Sequence, residues 1–129
     1  MAVDVTPPLE AGAKFIDSYG PNRFKITDEV FEGSVIVFPD KVVSWDVTDV
    51  AELTVESFQA VFDADPTVEL LLLGCGEKMM LIPSSLRQAL REKGTPPDFM
   101  DTGAACRTYN ILLGEGRRVA AALIAMPAE

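Results

Sequence analysis

The segment Glu69-Leu70-Leu71-Leu72-Leu73-Gly74-Cys75-Gly76 is the strongest indication of the fold of this chain. Four consecutive leucines that run into a glycine turn are typical of a strand covered on both faces. The run is far shorter than the roughly 18 to 20 apolar residues that cross a membrane. The segment therefore predicts a central strand of an α/β sheet, with a tight turn at its carboxyl end.

Helices and strands alternate downstream of this strand. The helical crossover that follows it predicts a parallel pairing with the next strand, because a strand–helix–strand unit in one sheet has that arrangement. The predicted elements are a short strand over 79–82, a helix that starts at Ser84 or Ser85 and ends at Gly94, a strand over 98–101, a helix over 103–113 capped by Thr102, and a strand over 118–126.

Three β-branched or aromatic runs lie upstream and predict an opening antiparallel meander over 23–26, 33–38 and 41–45. Gly33 within the second run suggests a bulge or a close backbone approach. A first helix should begin at Thr54, a good N-cap, and end before Pro66.

Together these elements predict an α/β chain with a mixed sheet and helices packed on it. Residues 1–12 contain Pro7, Pro8 and Gly12 and are predicted to form a flexible arm. Residues 13–127 are predicted to form a single domain, since 129 residues suffice for one core.

Composition restricts the classes of function. The net charge is −9, with 20 acidic residues against 11 lysines and arginines, which disfavours binding to nucleic acid or to an anionic membrane. The chain has no histidine, so it lacks the commonest general base and metal ligand. No metal site or cofactor is predicted. The chain therefore fits a binding module better than an enzyme.

The amino-terminal sequence MAVDVTPPLEAG has neither a basic region nor an apolar core. It predicts no secretory signal, and it is too acidic for a mitochondrial transit peptide. No membrane span is expected, and the predicted location is the cytoplasm.

Several pieces of the chain together resemble one known family. They are MDTGAACRTYNILLGEGRRVAAALI at 100–124, Tyr19-Gly20 before Phe24-Lys25-Ile26, Gly33-Ser34-Val35 running to Pro39, Trp45, and 70–76. The chain resembles the domain-of-unknown-function family 498/598 over about residues 12 to 126. That family includes the mitochondrial complex I assembly factor 3 and the adipogenesis-associated domain-containing protein.

This resemblance implies a three-layer α/β fold around a mixed sheet with an added N-terminal antiparallel hairpin. It also implies that no enzyme activity is established for this kind of domain. For function it implies partner binding, with a link to the assembly of a respiratory complex. The chain differs from the mitochondrial member at its amino terminus, so a bacterial cytoplasmic member of the family is expected. This difference puts the respiratory role itself in question.

Two groups of residues are candidates for binding a carboxylate or phosphate. Gly74 and Gly76 follow the central strand, where ligands of open α/β sheets often bind. The alternative is a purely structural tight turn, since no helix begins directly after it and no Rossmann or Walker pattern is complete.

The second group lies around the third helix. Thr102 lies at the amino-terminal end of this helix, where backbone amides are free to bind an anion. Arg107 and Asn110 share a helix face, and Arg117 follows the end of the helix. The structural alternative is that Arg107 pairs with an acid such as Asp101 while Asn110 bonds to backbone.

Other candidates have simpler interpretations. Cys75 and Cys106 are predicted to be small buried side chains, the alternative being a redox pair. Trp45 is predicted to lie in the core or an interface. The acids near the first helix are predicted to form a solvated face: Asp46, Asp49, Glu52, Asp63 and Asp65.

Two hypotheses of function follow. The first is a non-catalytic module that binds a protein partner or a second copy of itself. The second is a domain that binds a small carboxylate or phosphate, or an enzyme, using the Gly74–Gly76 turn with Arg107 and Asn110. The sequence does not identify the ligand.

Overall fold

The computed structural model describes residues 13–127. In that range the chain forms eight strands and three α-helices, with 3₁₀ turns at Val50–Glu52 and Val55–Phe58. The elements are β1 (Ile16–Gly20), β2 (Arg23–Ile26), β3 (Glu29–Glu32), β4 (Val35–Val37), β5 (Val42–Ser44), α1 (Gln59–Phe62), β6 (Leu70–Gly74), α2 (Ser84–Glu92), β7 (Pro97–Met100), α3 (Thr102–Gly114) and β8 (Val119–Leu123).

A mixed five-stranded sheet forms the centre of the molecule, in the order β5-β4-β8-β6-β7. The leucine strand β6 pairs in parallel with both β8 and β7, as the helical crossover predicts. The hairpin β4-β5 continues the sheet in antiparallel orientation on the far side of β8. The predicted central position of the leucine strand is confirmed, and so is the mixed sheet.

Each inner strand contributes side chains to two cores, one on each face of the sheet. In β6, Leu71 and Leu73 face one cluster and Leu72 faces the other. The first cluster is closed by α1 and α2, and the second by α3 and a small sheet. Because successive strand residues point to opposite faces, an unbroken apolar run is what a doubly covered strand requires. The three-layer α/β architecture is therefore confirmed.

The small sheet is antiparallel, in the order β1-β2-β3. This corrects the single opening meander: β2 belongs to the small sheet, whereas β4 and β5 belong to the central one. The sequence did not reveal β1 or β3, because exposed polar residues such as Asp17 and Ser18 in β1 and the two glutamates of β3 interrupt the apolar pattern. The turn between β2 and β3 has positive φ at Thr27 and Asp28, as a two-residue hairpin requires, without the glycine that usually marks such turns.

Three local predictions are corrected. Residues 79–82 form no strand, and the edge position next to β6 is taken by β7. Gly33 lies between two strands with φ +81, and a Cβ there would meet no atom within 4 Å, so it serves a turn rather than a bulge. The first helical segment begins directly after Thr54, its N-cap as predicted, and opens as a 3₁₀ turn at Val55. Asp101, not Thr102, caps α3, by accepting a bond from the Ala104 N–H at 2.8 Å.

Gly74 lies where β6 meets the start of α3. A Cβ at this position would lie 2.9 Å from the Thr102 hydroxyl oxygen, 3.0 Å from the Thr102 Cα and 3.1 Å from Leu123 Cδ2. We expect Gly74→Ala to lower the free energy of unfolding by about 1–3 kcal/mol, because the backbone of α3 would have to move. Urea denaturation followed by the fluorescence of Trp45, the single tryptophan, measures this change.

Gly114→Ala is the matched control for that measurement. Gly114 is the last residue of α3, and a Cβ there would meet no atom within 4 Å. The alanine should leave stability unchanged or raise it by up to about 1 kcal/mol. Equal losses in both variants would show that close packing at Gly74 is not the cause.

Candidate functional site

The turn after β6 has its backbone groups bonded within the protein. The Cys75 N–H donates to the Met100 carbonyl at 2.8 Å, and the Gly74 carbonyl accepts from the Ile124 N–H at 2.9 Å. Gly76 has φ +97, a backbone conformation that residues other than glycine rarely adopt. The turn therefore joins the carboxyl ends of the three parallel strands.

Thr102 completes this junction. Its hydroxyl accepts a bond from the Gly76 N–H at 2.9 Å and donates one to the Ile124 carbonyl at 2.7 Å, and the side chain is fully buried. Its own N–H donates to the Gly76 carbonyl at 2.8 Å. One hydroxyl thus satisfies two buried backbone groups from two segments, and the predicted residues Gly74, Gly76 and Thr102 do lie together.

We expect Thr102→Val to lower the free energy of unfolding by about 2–4 kcal/mol, because two buried backbone groups would lose their partner. Thr102→Ser keeps the hydroxyl and should cost only about 1 kcal/mol for the lost methyl group. Chemical denaturation of the two variants separates the effects. A loss in Thr102→Ser with none in Thr102→Val, which keeps the methyl group, would mean that packing of the methyl group, not hydrogen bonding, accounts for the role of Thr102.

A pocket of about 360 Å³ opens beside this turn, at the carboxyl ends of β6 and β8. Its walls come from three segments, 48–50, 75–80 and 124–127. The charged residues lining it are Asp49, Glu77 and Lys78. Ligands of open α/β sheets bind at this edge, so the pocket is the candidate functional site.

A loop of three large apolar side chains adjoins the pocket. Met79, Met80 and Leu81 are 56%, 49% and 71% exposed, and Met80 lines the pocket. The loop is held at one end by Ile82, which is buried, and the Cys75 Sγ lies 3.7 Å from the Met80 carbonyl. Consecutive apolar side chains that remain exposed beside a pocket are typical of a contact surface.

The remaining predicted ligand residues lie elsewhere. Asn110 accepts a bond from the Ile16 N–H at 2.9 Å and donates one to the Ile16 carbonyl at 2.8 Å, so its amide joins α3 to β1. Arg107 is exposed on α3. Arg117 pairs with Glu69 at 3.1 Å, at the opposite end of β6 from the turn. The structure does not gather these three around the pocket, and ligand binding by them stays a prediction.

Glu69 receives two donors at that opposite end. The Arg118 N–H and the Arg117 side chain both donate to its carboxylate at 3.1 Å, and these bonds lower the pKa of Glu69. Both partners of the ion pair are about half exposed, so the pair joins the end of α3 to the start of β6 on the surface.

The model of the family described as "Protein of unknown function (DUF498/DUF598)" matches residues 16–124. The chain belongs to this family. The resemblance inferred from the sequence motifs is confirmed.

Relatives extend the comparison. The chain is 37% identical over 117 residues to the NADH dehydrogenase [ubiquinone] 1 alpha subcomplex assembly factor 3 of Rattus norvegicus, covering 91% of this chain and 63% of the rat protein. It therefore spans less than two thirds of that relative. It is 38% identical over 121 residues to an uncharacterised protein of Rhodobacter capsulatus, covering 93% of this chain and 91% of that protein.

A solved structure has the same fold. A Bartonella henselae chain, described as an outer membrane protein, superimposes with a TM-score of 0.80 at 39% identity, covering 89% of this chain and 97% of that one. Within residues 13–127 of the present chain, no helix has the length and apolar character needed to pass through a bilayer.

Residues that carry the resemblance to the DUF498/DUF598 family meet around α3. Asn110 holds β1, and Gly103 in the first turn leaves room for the ring and hydroxyl of Tyr19 from the same strand. The motif residues of this family member thus fix the small sheet to α3.

Trp45 is buried, donates its indole N–H to the Ser57 carbonyl at 2.7 Å and packs on Phe58, as the core interpretation predicts.

The two cysteines lie in different cores. Cys75 belongs to the cluster under α1 and α2, and Cys106 to the cluster under α3. Both thiols are free. Burial raises the pKa of the Cys75 thiol, and burial raises the pKa of Cys106 to about 12. Reactive thiols need a lowered pKa, so the arrangement favours the structural interpretation over a redox pair.

We expect both thiols to react slowly with a disulfide reagent in the folded protein at pH 8, and rapidly after unfolding. For Cys106 the reaction should stay slow to at least pH 9, because its folded pKa is about 12. The raised pKa means that folding stability falls as pH rises from the unfolded thiol value toward 12. Single variants Cys75→Ser and Cys106→Ser assign each reaction; fast labelling of either native thiol would contradict burial.

Two of the five acids near the first helix bond to backbone N–H groups, and all five are exposed, as the solvated-face interpretation predicts. The Asp49 side chain accepts from the Ala51 N–H at 2.8 Å, and Glu52 accepts from the Thr48 N–H at 2.7 Å. Among residues 13–127, no group of three or more Cys, Asp or Glu side chains is arranged to hold a metal ion. Segment 48–50 forms one wall of the pocket. The sequence did not reveal this, because the segment comes next to the end of β6 only in the folded chain.

Proposed function

We propose that this chain is a protein-binding module that acts in the assembly of a multi-subunit complex. The observation that carries the proposal is the exposed apolar loop of Met79, Met80 and Leu81 beside the pocket. The name of the rat relative, an assembly factor for NADH dehydrogenase, supports the same role. We propose a subunit of a respiratory complex as the partner on that basis.

The loop is suited to binding because its apolar surface is already exposed and anchored. Ile82 lies in the core directly after Leu81, and Met80 is placed by the contact between its carbonyl and the Cys75 thiol. A partner that fully covers one such side chain gains about 1.5–3 kcal/mol from burial. Unbranched methionine side chains also adapt to the shape of a partner.

A non-catalytic role is supported by the chemistry of the side chains. The sequence has no histidine. Burial strongly raises the pKa values of Cys106 and Tyr109. Both residues lie in the core under α3, on the opposite face of the sheet from the pocket. Cys75 lines the pocket, and the pKa of its thiol is also raised. A thiol with a raised pKa is a poor nucleophile.

Binding of a small carboxylate or phosphate is the alternative, and the pocket beside the glycine turn is the observation that favours it. It has less support, because the Gly76 N–H is engaged by Thr102 and because Asp49 and Glu77 face the pocket. Thermal-shift measurements with carboxylates and phosphates test it. A shift that is lost in Lys78→Ala would favour this alternative over the proposal.

The predicted cytoplasmic location remains to be tested. The Bartonella henselae chain is described as an outer membrane protein, so fractionation of cells that express the present chain natively is the decisive measurement. Recovery in the membrane fraction after a high-salt wash would contradict the cytoplasmic prediction.

The double substitution Met80→Ser and Leu81→Ser should weaken partner binding without unfolding the chain, because both side chains are exposed. We expect at least a roughly tenfold loss of the captured partner, since apolar anchors dominate interface energies. Affinity capture after cross-linking, from cells that express the full chain natively, quantifies the loss.

Ile111→Ser is the matched control, because Ile111 is 62% exposed but lies on α3, outside the pocket. It should capture the partner as the wild type does. If neither variant changes capture, or if the wild type captures no protein above background, the proposed function is wrong.

A further inference from the structure

The pocket and the apolar loop form one surface, which we call the docking surface; it consists of the pocket walls and the side chains of Met79, Met80 and Leu81. A pocket of about 360 Å³ is at the small end of the range for ligand sites. It is large enough to receive apolar side chains that project from a polypeptide, with the loop covering the adjoining part of that segment.

The edge of the docking surface carries an excess of negative charge. Asp49 and Glu77 line the pocket, and Glu52 lies next to it through its bond to Thr48. Lys78 is the one basic residue among the pocket-lining positions in the described part of the chain. Three acids thus stand against one base around an apolar centre.

This charge discriminates between possible occupants. Charges act over about 8 Å at physiological ionic strength, so the local acids matter more than the total charge of −9. A second copy would bring the same acids face to face, and like charges across an interface are unfavourable. Anionic lipid would be repelled in the same way. A polypeptide segment with basic residues beside its apolar ones is not repelled by these acids.

We infer that the docking surface binds a cationic, apolar polypeptide segment of a partner protein. This inference rests on the proposed function and specifies the chemistry of the partner. Apolar side chains of the segment enter the pocket and cover Met80 and Leu81, while its Lys or Arg residues meet Asp49 and Glu77. The charges set orientation and association rate, and the apolar contacts supply most of the affinity.

The test uses the full chain and two synthetic 18-residue amphipathic peptides that share a leucine face. One peptide carries lysines on its polar face and the other carries glutamates. We expect fluorescence anisotropy to show binding of the lysine peptide at least roughly tenfold tighter than of the glutamate peptide, with the affinity falling as salt rises.

Two charge variants separate local from total charge. Asp49→Asn with Glu77→Gln should weaken binding of the lysine peptide about threefold to tenfold, and asparagine still supplies the oxygen that caps the following 3₁₀ turn. Glu29→Gln with Glu32→Gln removes the same charge from exposed positions on β3 and should leave the affinity unchanged. Equal losses in both pairs would overturn the inference, because binding would then follow net charge alone.

Other occupants give different results. Self-association in sedimentation velocity that Met80→Ser with Leu81→Ser abolishes would overturn the inference in favour of a second copy. Binding to phosphatidylcholine or phosphatidylglycerol vesicles that depends on the same residues would overturn it in favour of lipid. If partner capture depends on the loop but the lysine peptide binds no better than the glutamate peptide, this inference fails while the proposed function stands.

Discussion

The hydroxyl of Thr102 is the contact on which the candidate site depends. It bonds to Gly76 in the turn after β6 and to Ile124 after β8, and its own residue opens α3. Buried backbone groups need partners, and this side chain supplies one to each segment. Because Gly74 has no side chain, the start of α3 can approach β6 closely enough for these bonds to form. The carboxyl edge of the parallel strands is therefore closed by internal contacts, and the pocket opens beside it.

The exposed loop follows from this arrangement. After Gly76 the chain leaves β6, whose edge pairs with β7, and residues 79–82 join neither sheet. Ile82 returns to the core, but Met79 and Leu81 do not reach it. The same topology brings segment 48–50 and its acids to the pocket. The apolar loop and its charged surroundings thus come from separate parts of the chain.

Patterns that depend on burial were read correctly from the sequence, and those that depend on exposure were not. The leucine strand and the parallel pairing to β7 were predicted because an apolar run and a helical crossover have few alternatives. The strands β1 and β3 were missed because their exposed polar residues carry little strand signal. Of the predicted ligand residues, Gly74, Gly76 and Thr102 lie together, whereas Asn110 serves β1 and Arg117 serves Glu69.

Local chemistry in the sequence was sufficient for the α/β class, the doubly covered strand and the family, because each depends on residue type and short-range spacing. The partners of individual polar groups required the tertiary structure. Asn110 and Ile16 are 94 residues apart in sequence, and Thr102 and Gly76 are 26 apart. Contacts of that range depend on how the strands are ordered in the sheet, which no local pattern encodes. For the same reason, only the fold placed an acidic segment beside an apolar loop to form one surface.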